Sequence, residues 1–258
     1  MICFALCAHE GEWALRNQIK NIRKYNPADS FIVFYNGGKN RDFGKRVCRE
    51  EGVRYCPYSR PLTQRTSGRF FYDVMRWLED AKINYEYLVY MEYDIMFVNR
   101  GFRSLLQRQM KGYDVLVKMA KKETDPKMVE WDPAKAMWQD WRRWGAFFKS
   151  DHFYRTSSPV SVFRHGIVKR MLSGLDKQRL ETLLNTSKIP CLGEMLFITL
   201  AMKKGAKYTL YRWPNKRYLR FRPAIRLNEI KAAKRRPEVM FVHPVKDSHV
   251  RHYIFKNI

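Results

Sequence analysis

The first hundred residues alternate between short apolar segments and amphipathic segments, and this alternation restricts the fold more than any other feature. Apolar runs suited to strands buried on both faces lie at 2–8, 30–36, 53–58 and 87–99, with helix-like segments between them. Strand, helix, strand, helix at this spacing predicts a parallel sheet with right-handed crossover connections. In such sheets, ligands bind beyond the carboxyl ends of the strands.

The second half of the chain is less regular. Strands are predicted at 112–119, 157–164 and 238–246, and a helix is predicted from about Gly193 to Gly205. Because there is no internal repeat and no low-complexity linker, we expect a single domain spanning 1–258.

Positive charge is the outlier in the composition. The chain has 50 Lys and Arg against 25 Asp and Glu, a formal net charge of +25, which attracts nucleic acid, anionic lipid or phosphorylated substrates. From Arg212 to Arg236 there are ten Lys and Arg against the single acid Glu229. This segment is either a solvated basic face or a surface that meets a polyanion. Its interleaved aromatic residues are Tyr211, Trp213, Tyr218 and Phe221.

The sequence also indicates a cellular setting. No run of about 18 apolar residues occurs, and the first residues lack a basic region and a cleavage site, so we expect neither a spanning helix nor a signal peptide. The five cysteines form no CxxC pair, which favours a reduced, cytoplasmic protein. A disulfide between Cys48 and Cys56 is not expected.

Two acidic residues interrupt the apolar run YLVYMEYDIMFVN. Glu92 and Asp94 flank Tyr93, and burying two like charges is costly unless a cation or another partner compensates them. Residues two apart on a strand point to the same face, so both carboxylates are expected to project together and to suit Mg²⁺ or Mn²⁺. Alternatively, the strand ends at Met91 and the acids lie in a solvated loop or pair with arginines.

Four features together resemble the GT-A fold glycosyltransferases, which use nucleotide-sugar donors. They are the βαβα start, the acid-x-acid on the fourth strand, Gly193-Glu194 opening a helix, and the late His243-Pro244. The resemblance implies an α/β fold with a mostly parallel, Rossmann-like central sheet flanked by helices. It also implies a nucleotide-binding half at about 1–99 and an acceptor-binding half at about 100–258. The basic C-terminal segment would then form a lobe facing the acceptor or a membrane.

The resemblance also implies an activity. It is metal-dependent transfer of a sugar from a nucleotide-diphosphate donor, with a UDP-sugar expected, to a glycan, lipid-linked or polyanionic acceptor. Glu92-Tyr93-Asp94 occupies the position of the family's Asp-x-Asp element, with Glu in place of the first Asp. Asp94, Glu92 and the late His243 would hold Mn²⁺ or Mg²⁺.

By the same likeness, Glu194 would be the general base of an inverting transfer, deprotonating the acceptor hydroxyl. The family usually has Glu-Asp there, whereas this chain has Glu194-Met195. The alternative is an acid favoured by the positive end of the helix dipole.

The resemblance implies a set of nucleotide contacts as well. The exit of the first strand would border the base and ribose, the loop after the second strand would adjoin it, and two cations would meet the diphosphate. The expected residues are Ala8, His9, Glu10, Asn36, Arg69, Glu92, Tyr93 and Lys246.

Trp138, Trp141 and Trp144 recur at three-residue spacing, as on one side of a helix. Core packing explains this pattern, and stacking on an acceptor sugar or seating at a membrane interface are alternatives.

Two other functions fit part of the sequence. A nucleic-acid-binding protein would explain the charge, but zinc-finger spacing, RNP-like aromatic motifs and a helix-turn-helix are all missing, so nucleic acid is not the expected partner. A nucleotidyltransferase would use acid-x-acid and a metal, but "AHEGEW" is not the Gly-rich, basic loop that would favour it. We expect a cytoplasmic enzyme, with peripheral attachment to the inner face of a membrane as a further option.

Overall fold

The structure is a computed structural model that describes residues 1–9, 11–63, 66 and 68–257. Its strands are β1 (Ile2–Ala8), β2 (Ser30–Asn36), β3 (Arg54–Tyr55), β4 (Tyr87–Glu92), β5 (Met96–Phe97), β6 (Val115–Val117), β7 (Ala120–Glu123), β8 (Phe153–Thr156), β9 (Val162–Arg164), β10 (Tyr208–Leu210) and β11 (Phe241–Val242). Its α-helices are α1 (Glu12–Tyr25), α2 (Lys45–Glu50), α3 (Arg69–Asp80), α4 (Phe102–Gln109), α5 (Asp132–Gln139), α6 (Trp141–Phe148), α7 (His165–Leu172), α8 (Lys177–Thr186), α9 (Gly193–Lys203), α10 (Leu227–Lys234) and α11 (Ser248–Asn257). Short 3₁₀ turns lie at Pro126–Met128 and Asn215–Tyr218.

The central sheet has the predicted α/β arrangement. Within the described residues its strand order is β10-β6-β9-β4-β1-β2-β3. All neighbours are parallel except β9, which runs antiparallel to both β4 and β6. The predicted fold class, a mostly parallel sheet flanked by helices, is confirmed.

Strand β1 shows why the apolar runs form inner strands. Ile2, Phe4 and Leu6 pack into one hydrophobic cluster, and Cys3 and Ala5 pack into the cluster on the opposite face. All five are at most 1% exposed. A strand covered on both faces requires a continuous apolar run, because successive side chains point to opposite sides.

The predicted fourth strand is not continuous. β4 ends at Glu92, Tyr93 and Asp94 form a turn, and a separate short strand, β5, follows. Two buried amides of α1 hold the segment after the turn: Gln18 donates to the carbonyl of Ile95, and Asn21 donates to Phe97 O at 2.9 Å and accepts from Phe97 N at 2.7 Å. The prediction that strand periodicity places both carboxylates on one face is therefore wrong, since Asp94 lies in a turn.

The tryptophan-rich segment contributes to the core. Trp144 is completely buried, and the rings of Trp138 and Trp141 lie 4.8 Å apart and both contact Phe153. Packing between α5, α6 and the sheet thus accounts for the spacing of the three residues.

Two further features concern membrane-spanning helices and disulfide bonds. None of the described helices has both the length and the apolar character needed to cross a lipid bilayer. All five cysteines are free thiols, and Cys48 and Cys56 are both buried.

Candidate active site

The carboxyl ends of β1, β2 and β4 meet at one edge of the sheet, as expected of parallel neighbours. A cavity of about 650 Å³ opens there, and we call it the strand-end cavity. It is lined by Cys7, His9, Gly37, Gly38, Lys39, Asn40, Leu62, Thr63, Phe70, Tyr90, Glu92 and Tyr93.

A second cavity, of about 540 Å³, adjoins it, and we call it the acidic cavity. Four carboxylates and one histidine line it: Glu92, Asp94, Asp132, Glu194 and His243. Its wall also includes Trp131, Arg155, Phe221 and Lys246. Glu92 borders both cavities, so the two spaces meet at its side chain.

Glu92, Asp94 and His243 form a compact group of potential metal ligands. One ligand atom from each lies within 4.8 Å of the other two. His243 Nε2 is 3.4 Å from Asp94 Oδ1 and 3.7 Å from Glu92 Oε2. The side chains of Asp94 and His243 are 6% and 5% exposed, whereas that of Glu92 is 38% exposed. Two carboxylates and an imidazole are a suitable donor set for Mn²⁺ or Mg²⁺.

The C-terminal part of the chain brings His243 to the acids. β11 pairs with β5 in antiparallel register, Val242 opposite Met96, so His243 follows directly beside the turn that contains Asp94. Val245 N donates to Asp94 O at 2.8 Å, and Arg251 donates to Tyr93 O at 2.5 Å. The backbone carbonyls of the turn are therefore held by residues about 150 positions later in the chain, one through its backbone N–H and the other through its guanidinium.

An unsatisfied atom indicates that this group fits a cation. Asp94 Oδ1 is buried and accepts no hydrogen bond from the described residues. A buried carboxylate oxygen without a partner is costly, and coordination to a metal would satisfy it. Nδ1 of His243 is also buried without a partner among these residues, so they provide no acceptor of the kind that usually orients the ring of a metal-bound histidine.

His243 partly compensates the negative charges of Glu92 and Asp94. Burial lowers the pKa of His243, but its interactions with Asp94 and Glu92 outweigh burial and raise the pKa to about 9. Without a cation, the imidazolium form is therefore favoured, and it balances one of the two negative charges.

Glu194 lies in the first turn of α9 and faces the acidic cavity. Ser158 N donates to its Oε1 at 2.9 Å. Burial is the main cause that raises the pKa of Glu194, and the charge of Glu92 adds to it. The Ser158 hydrogen bond lowers the pKa, and the net value is about 7. A carboxyl group with this pKa that faces a cavity is suited to exchange a proton near neutral pH.

The other predicted nucleotide contacts of the first half differ in their relation to the strand-end cavity. Ala8 is buried at the end of β1, and His9 lines the cavity with its ring edge-to-face against Tyr93 at 5.6 Å. Asn36 is buried; its amide donates to Asn40 O and accepts from Gly38 N, so it shapes the loop and does not face the cavity. Glu10 lies outside the described residues.

The structure places the two predicted diphosphate cations differently. Lys246 is exposed and lines the acidic cavity beside the metal-ligand group. Arg69 is 2% exposed; its guanidinium pairs with Glu181, contacts Asp73 at 3.5 Å and donates to Asn185 at 3.0 Å. Arg69 thus holds α3 against α8. The prediction that Arg69 contacts the diphosphate is wrong, because its guanidinium is buried and engaged by α8.

Several residues of the site could not be identified from the sequence as functional residues. Ser158 contributes through its backbone N–H, which any residue other than proline would provide. Trp131 and Arg155 line the acidic cavity, and the Arg155 guanidinium lies 5.4 Å from the Trp131 ring. Only the density of aromatic and basic residues around 131–155 could have pointed to them.

No protein-family model matches the chain, and no curated protein matches it in sequence. Solved structures with a similar arrangement include core-mannan synthase A from Aspergillus fumigatus in its Mn/GDP form, with 12% identity over 81% of this chain and 72% of that one, at a TM-score of 0.46. The galactosyltransferase LgtC, in complex with donor and acceptor sugar analogues, matches 81% of this chain and 73% of its own with 9% identity and a TM-score of 0.43. S. aureus TarS matches 84% of this chain but 38% of its own, with 10% identity and a TM-score of 0.48.

Proposed function

We propose that the protein is a metal-dependent glycosyltransferase that moves a sugar from a nucleoside-diphosphate donor, expected to be a UDP-sugar, to a glycan or lipid-linked acceptor. The observation that supports it best is the convergence of Glu92, Asp94 and His243 at the junction of two cavities, with the Glu194 carboxyl in one of them. One cavity then holds a donor and the other an acceptor, with a cation site between them.

In this proposal the nucleoside occupies the strand-end cavity and the acceptor enters the acidic cavity. Glu92, Asp94 and His243 would hold Mn²⁺ or Mg²⁺, which when bound neutralises the charge that develops on the leaving diphosphate. Lys246 lines the acidic cavity next to this group and would contact the same diphosphate.

Glu194 would act as the base in an inverting transfer. Ser158 N–H holds the carboxylate through Oε1, and Oε2 would accept the proton of the acceptor hydroxyl. As the hydroxyl oxygen forms its bond to the anomeric carbon, the bond from that carbon to the diphosphate oxygen breaks, and the proton remains on Glu194.

Calorimetric titration with UDP, with and without Mn²⁺, tests the donor and metal parts of this proposal. We expect UDP binding that requires Mn²⁺ and that disappears in Asp94→Ala. The matched control is Asp151→Ala, which removes an aspartate that is 95% exposed. Mn²⁺-independent binding, or equal binding by both variants, would argue against the cation site.

Transfer assays with Glu194→Gln test the base. This variant should retain UDP and Mn²⁺ binding and lose nearly all transfer activity. If it remains active, the base lies elsewhere or the reaction retains configuration.

A further inference from the structure

We propose that a basic aromatic surface seats the mouth of the acidic cavity on an anionic lipid bilayer, so that the acceptor is presented from the membrane. The inference rests on the proposed function for what the cavity does, but the docking itself is a separate property. The surface comprises Arg212, Trp213, Lys216, Arg217, Phe221 and Arg222, and all six are exposed.

The aromatic residues of this segment divide into two pairs. Tyr211 and Tyr218 are 2% and 3% exposed and pack into the core, whereas Trp213 and Phe221 are 66% and 75% exposed. Phe221 is the most exposed large apolar side chain in the described part of the molecule. Exposed large apolar side chains that are grouped among polar residues mark sites of interaction with proteins or membranes.

Each exposed ring lies beside a guanidinium group. The Arg217 guanidinium is 5.8 Å from the Trp213 ring centre, and that of Arg222 is 5.2 Å from the Phe221 ring centre. An aromatic ring next to a cation matches the interface of an anionic bilayer, where rings enter the headgroup region and cations meet lipid phosphates.

The cations of this segment are not neutralised internally. Its one acid, Glu229, forms a two-pronged ion pair with Arg220. Among the described residues, none of the other nine Lys and Arg between Arg212 and Arg236 forms an ion pair, which leaves a strong positive field on this lobe.

The surface is presented by a well-anchored backbone. Asn215 donates to Glu238 O and accepts from Met240 N, and Tyr211 donates from its hydroxyl to Val160 O at 2.7 Å. Arg220 also donates to the carbonyls of Pro223 and Ala224. The two exposed rings therefore project from an ordered platform, which limits the entropy lost on docking.

Phe221 connects this surface to the chemistry. Its side chain lines the acidic cavity together with Glu194 and Lys246. A bilayer that receives the Phe221 ring would lie at the entrance of this cavity. The acceptor hydroxyl of a lipid-linked sugar could then reach Glu194 while its lipid remained in the membrane.

Sedimentation with vesicles tests the proposal. The wild-type protein should bind phosphatidylcholine vesicles that contain phosphatidylglycerol and should not bind pure phosphatidylcholine vesicles. Replacing Arg217 and Arg222 with Gln should weaken binding to the anionic vesicles about 30-fold, from the usual contribution of a basic residue at such a surface. Trp213→Ser combined with Phe221→Ser should weaken it about tenfold or more.

The controls lie near the amino end of β6, where Tyr113 is 40% exposed, whereas the proposed surface follows the carboxyl end of the parallel neighbour β10. Tyr113→Ser, and separately the pair Arg108→Gln with Lys111→Gln, should leave vesicle binding unchanged. If these variants lose as much binding as those of the proposed surface, the attraction is a general effect of net charge and the proposal is wrong.

A soluble polyanion separates lipid docking from polyanion binding. If double-stranded DNA binds as tightly as the vesicles and the aromatic variants bind vesicles normally, the surface does not recognise a bilayer. Trp213→Ser should also bind UDP with Mn²⁺ as the wild type does. Vesicle binding without any UDP binding would overturn the proposed function but not the docking surface.

Discussion

A Cβ atom on Gly68 would lie 2.6 Å from the backbone nitrogen of Gly193, so the start of α3 touches the start of α9 without any side chain between them. Gly193 immediately precedes Glu194, so this close approach sets where the Glu194 carboxyl enters the acidic cavity. Neither glycine has a positive φ in the structure. Glycine is required at these two positions because a side chain on either would collide with the backbone of the other.

Gly68→Ala should therefore displace the start of α9. We expect a loss of about 1–3 kcal/mol in the free energy of unfolding, as for other overpacked contacts, and a lower turnover number. Urea denaturation and transfer assays measure the two effects. Gly166→Ala is the control, because a Cβ at Gly166 meets nothing within 4 Å. Equal behaviour of the two variants would show that the contact does not position Glu194.

The pKa of Glu194 makes a prediction about stability. Its folded value of about 7 lies above its ordinary value of 4.5, so the folded protein holds the proton more tightly than the unfolded chain does. This contribution is fully present below pH 4.5 and is lost as the pH rises to 7. Glu194→Gln cannot ionise, so without metal it should exceed the wild type in stability by about 2–3 kcal/mol at pH 8 and by little at pH 4.

Thermal or urea unfolding at both pH values, with a chelator present, measures this difference. Glu238→Gln changes an exposed carboxyl in the same way and should have no effect that depends on pH. The wild-type transfer rate should rise with pH as Glu194 ionises, in the direction opposite to its stability. A flat stability difference between pH 4 and pH 8 would contradict the buried, protonated state.

Asn21 should matter to the metal site although it contacts none of the proposed ligands. Asn21→Ala leaves Phe97 N and O without their partner, which costs about 1–3 kcal/mol of stability and loosens the segment after the Asp94 turn. Calorimetry should show weaker Mn²⁺ binding than in the wild type. Gln107→Ala, on the exposed side of α4, is the control and should change neither quantity. Normal Mn²⁺ affinity in Asn21→Ala would show that the turn is held by other contacts alone.

Lys246 and Arg69 should respond differently to loss of their charge. Lys246→Met should weaken UDP binding about fivefold, the equivalent of about 1 kcal/mol for an exposed cation, with unchanged stability. Arg69→Met removes one of the two arginines that pair with Glu181 and one of the two that pair with Asp73, and it should destabilise the protein by about 1–3 kcal/mol. Weaker UDP binding by a fully folded Arg69→Met would restore Arg69 as a phosphate ligand.

Much of the first half could be predicted because local pattern determines it. The apolar runs of β1, β2 and β4 are long enough to be buried on both faces, and the loops after them had to meet at one edge of a parallel sheet. The grouping of Glu92, Asp94 and His243 was expected from the resemblance to GT-A glycosyltransferases, and the structure brings all three side chains together. The metal itself, the role of Glu194 and the donor stay predictions.

The errors have a common physical origin. Strand periodicity is a local rule, and it missed the turn at Asp94 because Gln18, Asn21 and β11 stabilise that turn from distant parts of the sequence. Arg69 looked like a phosphate ligand because a basic residue opens α3, but Glu181, more than 100 residues later, pairs with it. The basic segment showed its charge in the sequence but not which of its four aromatic residues are buried.

By itself, the sequence determined the α/β class, the parallel direction of the first strands and the acidic character of the site. Each of these follows from side-chain pattern and backbone geometry. Only the tertiary structure decided which charges are compensated. The cost of a buried charge depends on the groups within a few ångströms of it, and these come from across the chain. Arg69 is neutralised by Glu181, whereas Asp94 Oδ1 accepts no hydrogen bond from the described residues and has the His243 imidazole 3.4 Å away at the acidic cavity.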